Sequence, residues 1–87
     1  MHYKFLADYE WHYYIGGNCS LRHRKSNQTA AMIHHVVQGS FEALISRKQG
    51  TYPKEEDFIS VGVFNDSNEA QEVINKILEE KFNEVRV

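Results

Sequence analysis

The sequence predicts an α+β domain of two layers: a small antiparallel sheet with helices packed against it. Three observations carry that expectation. Apolar and polar residues alternate over the first fifteen positions, β-branched and apolar residues fill Phe58–Phe64, and an apolar stripe of helical period follows Asp66. With 87 residues, 41% hydrophobic and 25% charged, the chain holds one core and too little material for a second domain.

The alternation places Tyr3, Phe5, Ala7, Tyr9, Trp11, Tyr13 and Ile15 on odd positions, with His2, Lys4, Asp8, Glu10 and His12 between them. Successive side chains of a strand point to opposite faces, so period two means strand. One strand of that length is unusual, and the polar Asp8 and Glu10 divide it into strands over about 3–7 and 11–16, paired as a hairpin. Gly16 and Gly17 end the second.

Asn18 or Ser20 can cap a short helix over 21–25. A longer helix is expected over 29–48, where Ala30, Ile33, Val37, Phe41, Leu44 and Ile45 recur at helical spacing and Gly50 offers a C-cap. Residues 50–56 read as loop and Phe58–Phe64 as a buried strand. Asp66 with Glu69 three positions on begins the last helix, whose stripe is Ala70, Val73, Ile74, Ile77, Leu78 and Phe82. Residues 83–87 could add an edge strand, so the expected order is ββααβα with a possible final β.

Composition narrows the chemistry. Cys19 is the only cysteine, which excludes an internal disulfide and a thiolate-rich zinc site. No apolar run approaches the roughly 18 residues of a membrane span, and the start lacks the apolar segment of a signal peptide, so the expectation is a cytoplasmic protein. Residues 1–50 carry six Lys/Arg against three Asp/Glu, whereas residues 51–87 carry four against nine. A basic front half is compatible with phosphate binding, or with a mildly polarised solvated surface. His34 and His35, adjacent in an expected helix, diverge by about 100° and make poor partners for one metal.

One string stands out: Tyr13-Tyr14-Ile15-Gly16-Gly17-Asn18-Cys19-Ser20-Leu21-Arg22-His23-Arg24. It resembles the second half of the GIY-YIG nuclease signature, in which Tyr-Ile-Gly ends a strand and a leucine and an arginine follow. Tyr14-Ile15-Gly16 matches as it stands, Leu21 fits the apolar position and Arg24 the arginine. Upstream, Tyr3 takes the tyrosine position of the first motif, with His2 and Met1 in place of Ile and Gly.

The resemblance implies a metal-dependent endonuclease. Tyr3 and Tyr14 would handle the attacking water, Arg24 would steady the phosphate, and a helical glutamate would hold Mg²⁺ or Mn²⁺. Guanidinium suits that part because its forked donors grip phosphate oxygens in pairs. The family's glutamate position falls at Ile74 or Asn75 here, so Glu72 is the nearest carboxylate and Glu79 the next. Arg22 and Lys25 flank Arg24 and would contact the backbone of a nucleic acid, DNA before RNA with the two left open, or else form part of a solvated surface. The hairpin register matters, since a two- or four-residue loop gathers Tyr3 and Tyr14 on one face and a three-residue loop separates them. The alternative is a GIY-YIG-like module without a metal that binds nucleic acid or a protein partner, as a small inhibitor from a mobile element would.

Overall fold

The computed structural model describes residues 3–47 and 57–85. It is a small α+β domain in which five strands form one antiparallel sheet and one α-helix follows them. The strands are β1 (Tyr9–Tyr13), β2 (Cys19–His23), β3 (Thr29–Val37), β4 (Ser40–Ser46) and β5 (Phe58–Phe64), and the helix is α1 (Ser67–Val85). They lie side by side in chain order, each antiparallel to the next. Short 3-10 turns occupy Lys4–Ala7 and Ile15–Gly17.

The order differs from ββααβα, and each difference has a physical reason. The segment expected as a strand over 3–7 is a tight turn, because Tyr3 and Phe5 both bury their rings in the core beside α1. The hairpin partner of β1 is therefore β2, with Trp11 opposite Leu21 and Tyr13 opposite Cys19, and neither predicted register of Tyr3 against Tyr14 arises. The helix expected over 21–25 is the end of β2 and a turn closed by Asn27 at φ 64°, which a continuing helix does not admit.

The helix expected over 29–48 is two strands joined at Gly39, whose φ of 77° makes the reversal. Ala31 and Ile33 of β3 face Ile45 and Ala43 of β4, and all four are buried against α1. Met32 and Leu44 pair on the opposite face. Apolar side chains on both faces produce spacings of three and four by accident, and the β-branched Ile33, Val36 and Val37 favour the pleat. Gly50 and the 50–56 loop lie outside the described residues.

The expected strand over Phe58–Phe64 and the last helix are both present, but the strand is not buried: as β5 it is the edge of the sheet, with Ile59 and Val63 exposed and no residue fully buried. Asp66 starts α1: its carbonyl accepts from the Ala70 N–H at 3.1 Å and its Oδ1 from the Asn68 N–H at 3.3 Å. Ala70, Ile74 and Leu78 are fully buried and lie over the sheet beside Leu21, Ala31 and Ile33. Residues 83–85 continue that helix, so an edge strand does not begin at 83.

Because strand side chains alternate, the sheet has a face under α1 and a face α1 does not cover. Trp11, Cys19, Leu21, Ala31 and Ile45 point under the helix. Glu10, His12, Ser20, Arg22, Met32 and Leu44 point to the uncovered face.

Candidate functional site

The loop between β1 and β2 is the most unusual feature of the surface. Ile15 stands 98% exposed at its tip, beside Tyr13 at 68% and the half-exposed Tyr14. The β3–β4 hairpin reaches the same end of the sheet and adds Val36 at 51% and Val37 at 65%. Residues 13–21 and 26–41, which form the two hairpin ends, contain no Asp, Glu, Lys or Arg, and Asp66 at the start of α1 is the charge next to the segment that meets the loop. Single exposed apolar residues are ordinary, but a contiguous uncharged group of them is the signature of an interaction surface.

The loop is held from several directions. Asn18 Oδ1 accepts from the His35 N–H at 2.8 Å, fixing it to β3, and the Ser67 hydroxyl donates to the Gly17 carbonyl at 3.3 Å, fixing it to α1. Tyr14 N–H donates to the Asn18 carbonyl at 2.9 Å and closes the loop on itself. Gly16 and Gly17 both take positive φ, 86° and 84°, and Gly17 lies so close to the Phe41 ring that a Cβ there would sit 2.7 Å from Cε1. Phe41 is itself stacked on His35 with ring centroids 4.7 Å apart. Exposure of Ile15 is thus a property of a braced loop.

The three residues expected to be catalytic, Tyr3, Tyr14 and Arg24, are held by different partners. Tyr3 is buried under α1, where its hydroxyl donates to the Glu72 carboxylate. That hydrogen bond, then burial and the charges of Glu72 and Glu79, push the phenol up to about 12. The Phe5 N–H donates to Glu79 Oε2 at 3.4 Å. Tyr14 lies across the sheet, its hydroxyl 3.0 Å from Ser20 Oγ on the uncovered face. Arg22 Nε donates to the same Ser20 Oγ at 3.1 Å. Tyr14 and Arg22 are brought together, Tyr3 and Glu72 are brought together, and the body of the sheet lies between the two pairs.

Arg24 joins neither. Its Nη1 meets Glu10 Oε2 at 2.9 Å and its Nη2 donates to the Leu6 carbonyl at 3.2 Å, which ties the β2–β3 turn to the chain before β1. Lys25 is exposed in that turn, where its N–H donates to His23 Nδ1 at 3.2 Å.

Two carboxylates could serve a divalent cation, and both already accept protein donors: Glu72 from Tyr3 and Glu79 from Phe5. Among the described residues no three His, Cys, Asp or Glu side chains gather as a metal site. Cys19 is buried, with Ser67 Oγ at 3.5 Å and Gln71 Nε2 at 3.7 Å from its sulfur.

Sequence reading singled out Tyr14 and Arg22, but not Ser20, which joins them, nor the exposed end around Ile15. The gap in formal charge over residues 13–21 and 26–41 was the available signal. No protein-family model matches the chain, and no curated protein or solved structure is similar to it. Among the described residues no helix is long and apolar enough to cross a membrane.

Proposed function

We propose that this domain is a binding module that docks a protein partner through the apolar, uncharged end formed by the β1–β2 loop and the β3–β4 hairpin. The observation that carries the reading is Ile15, almost wholly exposed on a loop braced to β3, to α1 and to Phe41. A braced loop loses little conformational freedom on association, so the apolar contact it makes is not spent on ordering it. Aromatic and aliphatic anchors surrounded by neutral groups are the composition of interface centres, where charge is depleted.

Metal-dependent phosphodiester cleavage is the lesser reading. It requires Tyr3, Tyr14 and Arg24 to meet at one phosphate with Mg²⁺ or Mn²⁺ on Glu72, and these groups look to different partners. Nucleic-acid binding without cutting draws support from a different place, the end of β2 and the turn after it, which carry Arg22 and Lys25.

One paired experiment separates the three. The wild-type chain and the Ile15→Asp/Val37→Asp variant are compared for capture of partners from host lysate, for self-association by light scattering, and for plasmid nicking with Mg²⁺ or Mn²⁺. Capture of a defined protein that is lost in the variant, with no nicking, is the expected result. Nicking abolished by Arg24→Ala would replace this reading with the nuclease. Self-association lost in the variant would make the partner a second copy.

A further inference from the structure

The cross-strand register places Glu10 directly opposite Arg22 on the uncovered face. Opposite charges in that relation ordinarily pair. Here they do not: the Glu10 carboxylate takes Arg24 at 2.9 Å and His12 Nε2 at 3.2 Å. Arg22 instead turns along its own strand, giving Nε to Ser20 Oγ at 3.1 Å and Nη1 to Asn27 Oδ1 at 3.5 Å. Both ion pairs found among the described residues belong to Glu10, so Arg22 is a half-buried cation with no carboxylate among them. Burial of charge without a counter-ion is costly, which makes its retention informative.

The polar groups around it form a chain. Arg22 Nε–H donates to Ser20 Oγ, and Ser20 and Tyr14 share one hydrogen bond in which either hydroxyl can donate; when Ser20 donates, the Tyr14 hydroxyl proton is free for an incoming acceptor. Ser20, only 6% exposed, is the fixed centre of this chain. Hydrogen bonds in such series strengthen one another. The guanidinium keeps both Nη2 donors and one Nη1 donor outside any bond among the described residues.

We infer that Arg22 and Tyr14, set by Ser20, form a receptor for an oxyanion, and that the oxyanion is a carboxylate carried by the docking partner. Two coplanar acceptor oxygens match the guanidinium fork, and the phenol supplies a further donor. Carboxylate and phosphate share this chemistry. The protein source is favoured because Tyr14 also belongs to the apolar end, where a chain of repeated phosphates meets no Lys or Arg between residues 13 and 21 or 26 and 41. This inference rests on the docking role proposed above and adds to it the partner's charge.

The test uses the whole chain and follows the arginine Nε–Hε resonances by NMR during titration with acetate, inorganic phosphate and a short oligothymidylate. Saturable movement of Arg22 with acetate and phosphate, while Arg24 stays still, is expected. Tyr14→Phe should weaken that response about two- to tenfold, the worth of one hydrogen bond. Variants at 22 lack this resonance and are read from the backbone amides of Tyr14 and Ser20: their anion-dependent movement should vanish in Arg22→Gln with the amide spectrum otherwise intact, and should persist, weaker, in Arg22→Lys. A silent Arg22, or equal movement of Arg24, overturns the site. Tighter, salt-steep binding of oligothymidylate at Arg22 overturns the choice of a protein carboxylate. The Ile15→Asp/Val37→Asp variant should lose partner capture yet keep the acetate response, so failure of the docking surface and failure of the anion site are read separately.

Discussion

The hydroxyl of Tyr3 donates to the carboxylate of Glu72, joining residues 69 positions apart and fastening the start of the described chain to α1. The bond sits beside the buried ring of Phe5, whose own backbone N–H reaches Glu79, about two turns further along the helix. A carboxylate that accepts from a phenol disfavours ionising that phenol, because two negative charges would then share one site.

Alkaline sensitivity follows. The Tyr3 phenol is raised from 10.0 to about 12, so the folded state holds this proton more tightly than the unfolded chain does. The contribution is fully present below pH 10 and is lost as pH rises from about 10 toward 12. Thermal denaturation between pH 8 and 12, compared with Tyr3→Phe, should show a steeper alkaline decline in the wild type, with the two curves converging at the top of the range.

Gly17→Ala should be costly and Gly39→Ala mild. Both glycines take positive φ, 84° and 77°, but a Cβ at 17 would meet the Phe41 ring at 2.7 Å and one at 39 would meet nothing within 4 Å. Denaturant unfolding should report about 2–3 kcal/mol lost for the first and about 1 kcal/mol for the second.

Asn75 is a buried polar residue that completes a hydrogen bond across the two layers, its Oδ1 accepting from the Trp11 indole at 3.1 Å. Asn75→Ala leaves that N–H without its acceptor and should cost about 1–3 kcal/mol, and Asn75→Asp, which keeps an acceptor but buries a carboxylate without a counter-ion, should cost at least as much. Trp11 is the only tryptophan, so its emission should move to longer wavelength in the alanine variant alone.

The two faces of the sheet predict opposite outcomes for neighbouring strand positions. Leu21→Ala empties a fully buried site under α1 and should cost about 2–5 kcal/mol. Met32→Ala, on the uncovered face, should cost less than about 1.5 kcal/mol by the same measurement.

The final helix was legible because three independent signals agreed at Asp66, Glu69 and the Ala70, Ile74, Leu78 stripe. Phe58–Phe64 was legible because its β-branched run admits few other uses. The middle of the chain was not. Over 29–48 the residues facing α1, Ala31, Ile33, Ala43 and Ile45, interleave with Met32 and Leu44 on the other face, and the combined spacing imitates a helix. Gly39, a poor helix residue, lies in the middle of that stretch, and its positive φ makes it the turn. At the start, odd-position alternation is real for Tyr9, Trp11 and Tyr13, but Tyr3 and Phe5 reach the same core through a 3-10 turn, which a period-two reading cannot register. Of the candidate site, the proximity of Tyr14 and Arg22 was within reach of the sequence, while the diversion of Glu10 away from Arg22 depends on where Arg24 lands after the turn.

The helix is synthesised after all five strands, and together with the turn that carries Tyr3 and Phe5 it covers the apolar face of the sheet. During translation the meander can zip hairpin by hairpin, since every pairing is with the preceding strand. Leu21, Ile33 and Ile45 nonetheless lack the cover of Ala70, Ile74 and Leu78 until the ribosome releases the segment beginning at Ser67, and a chain stalled before that point would present one apolar face.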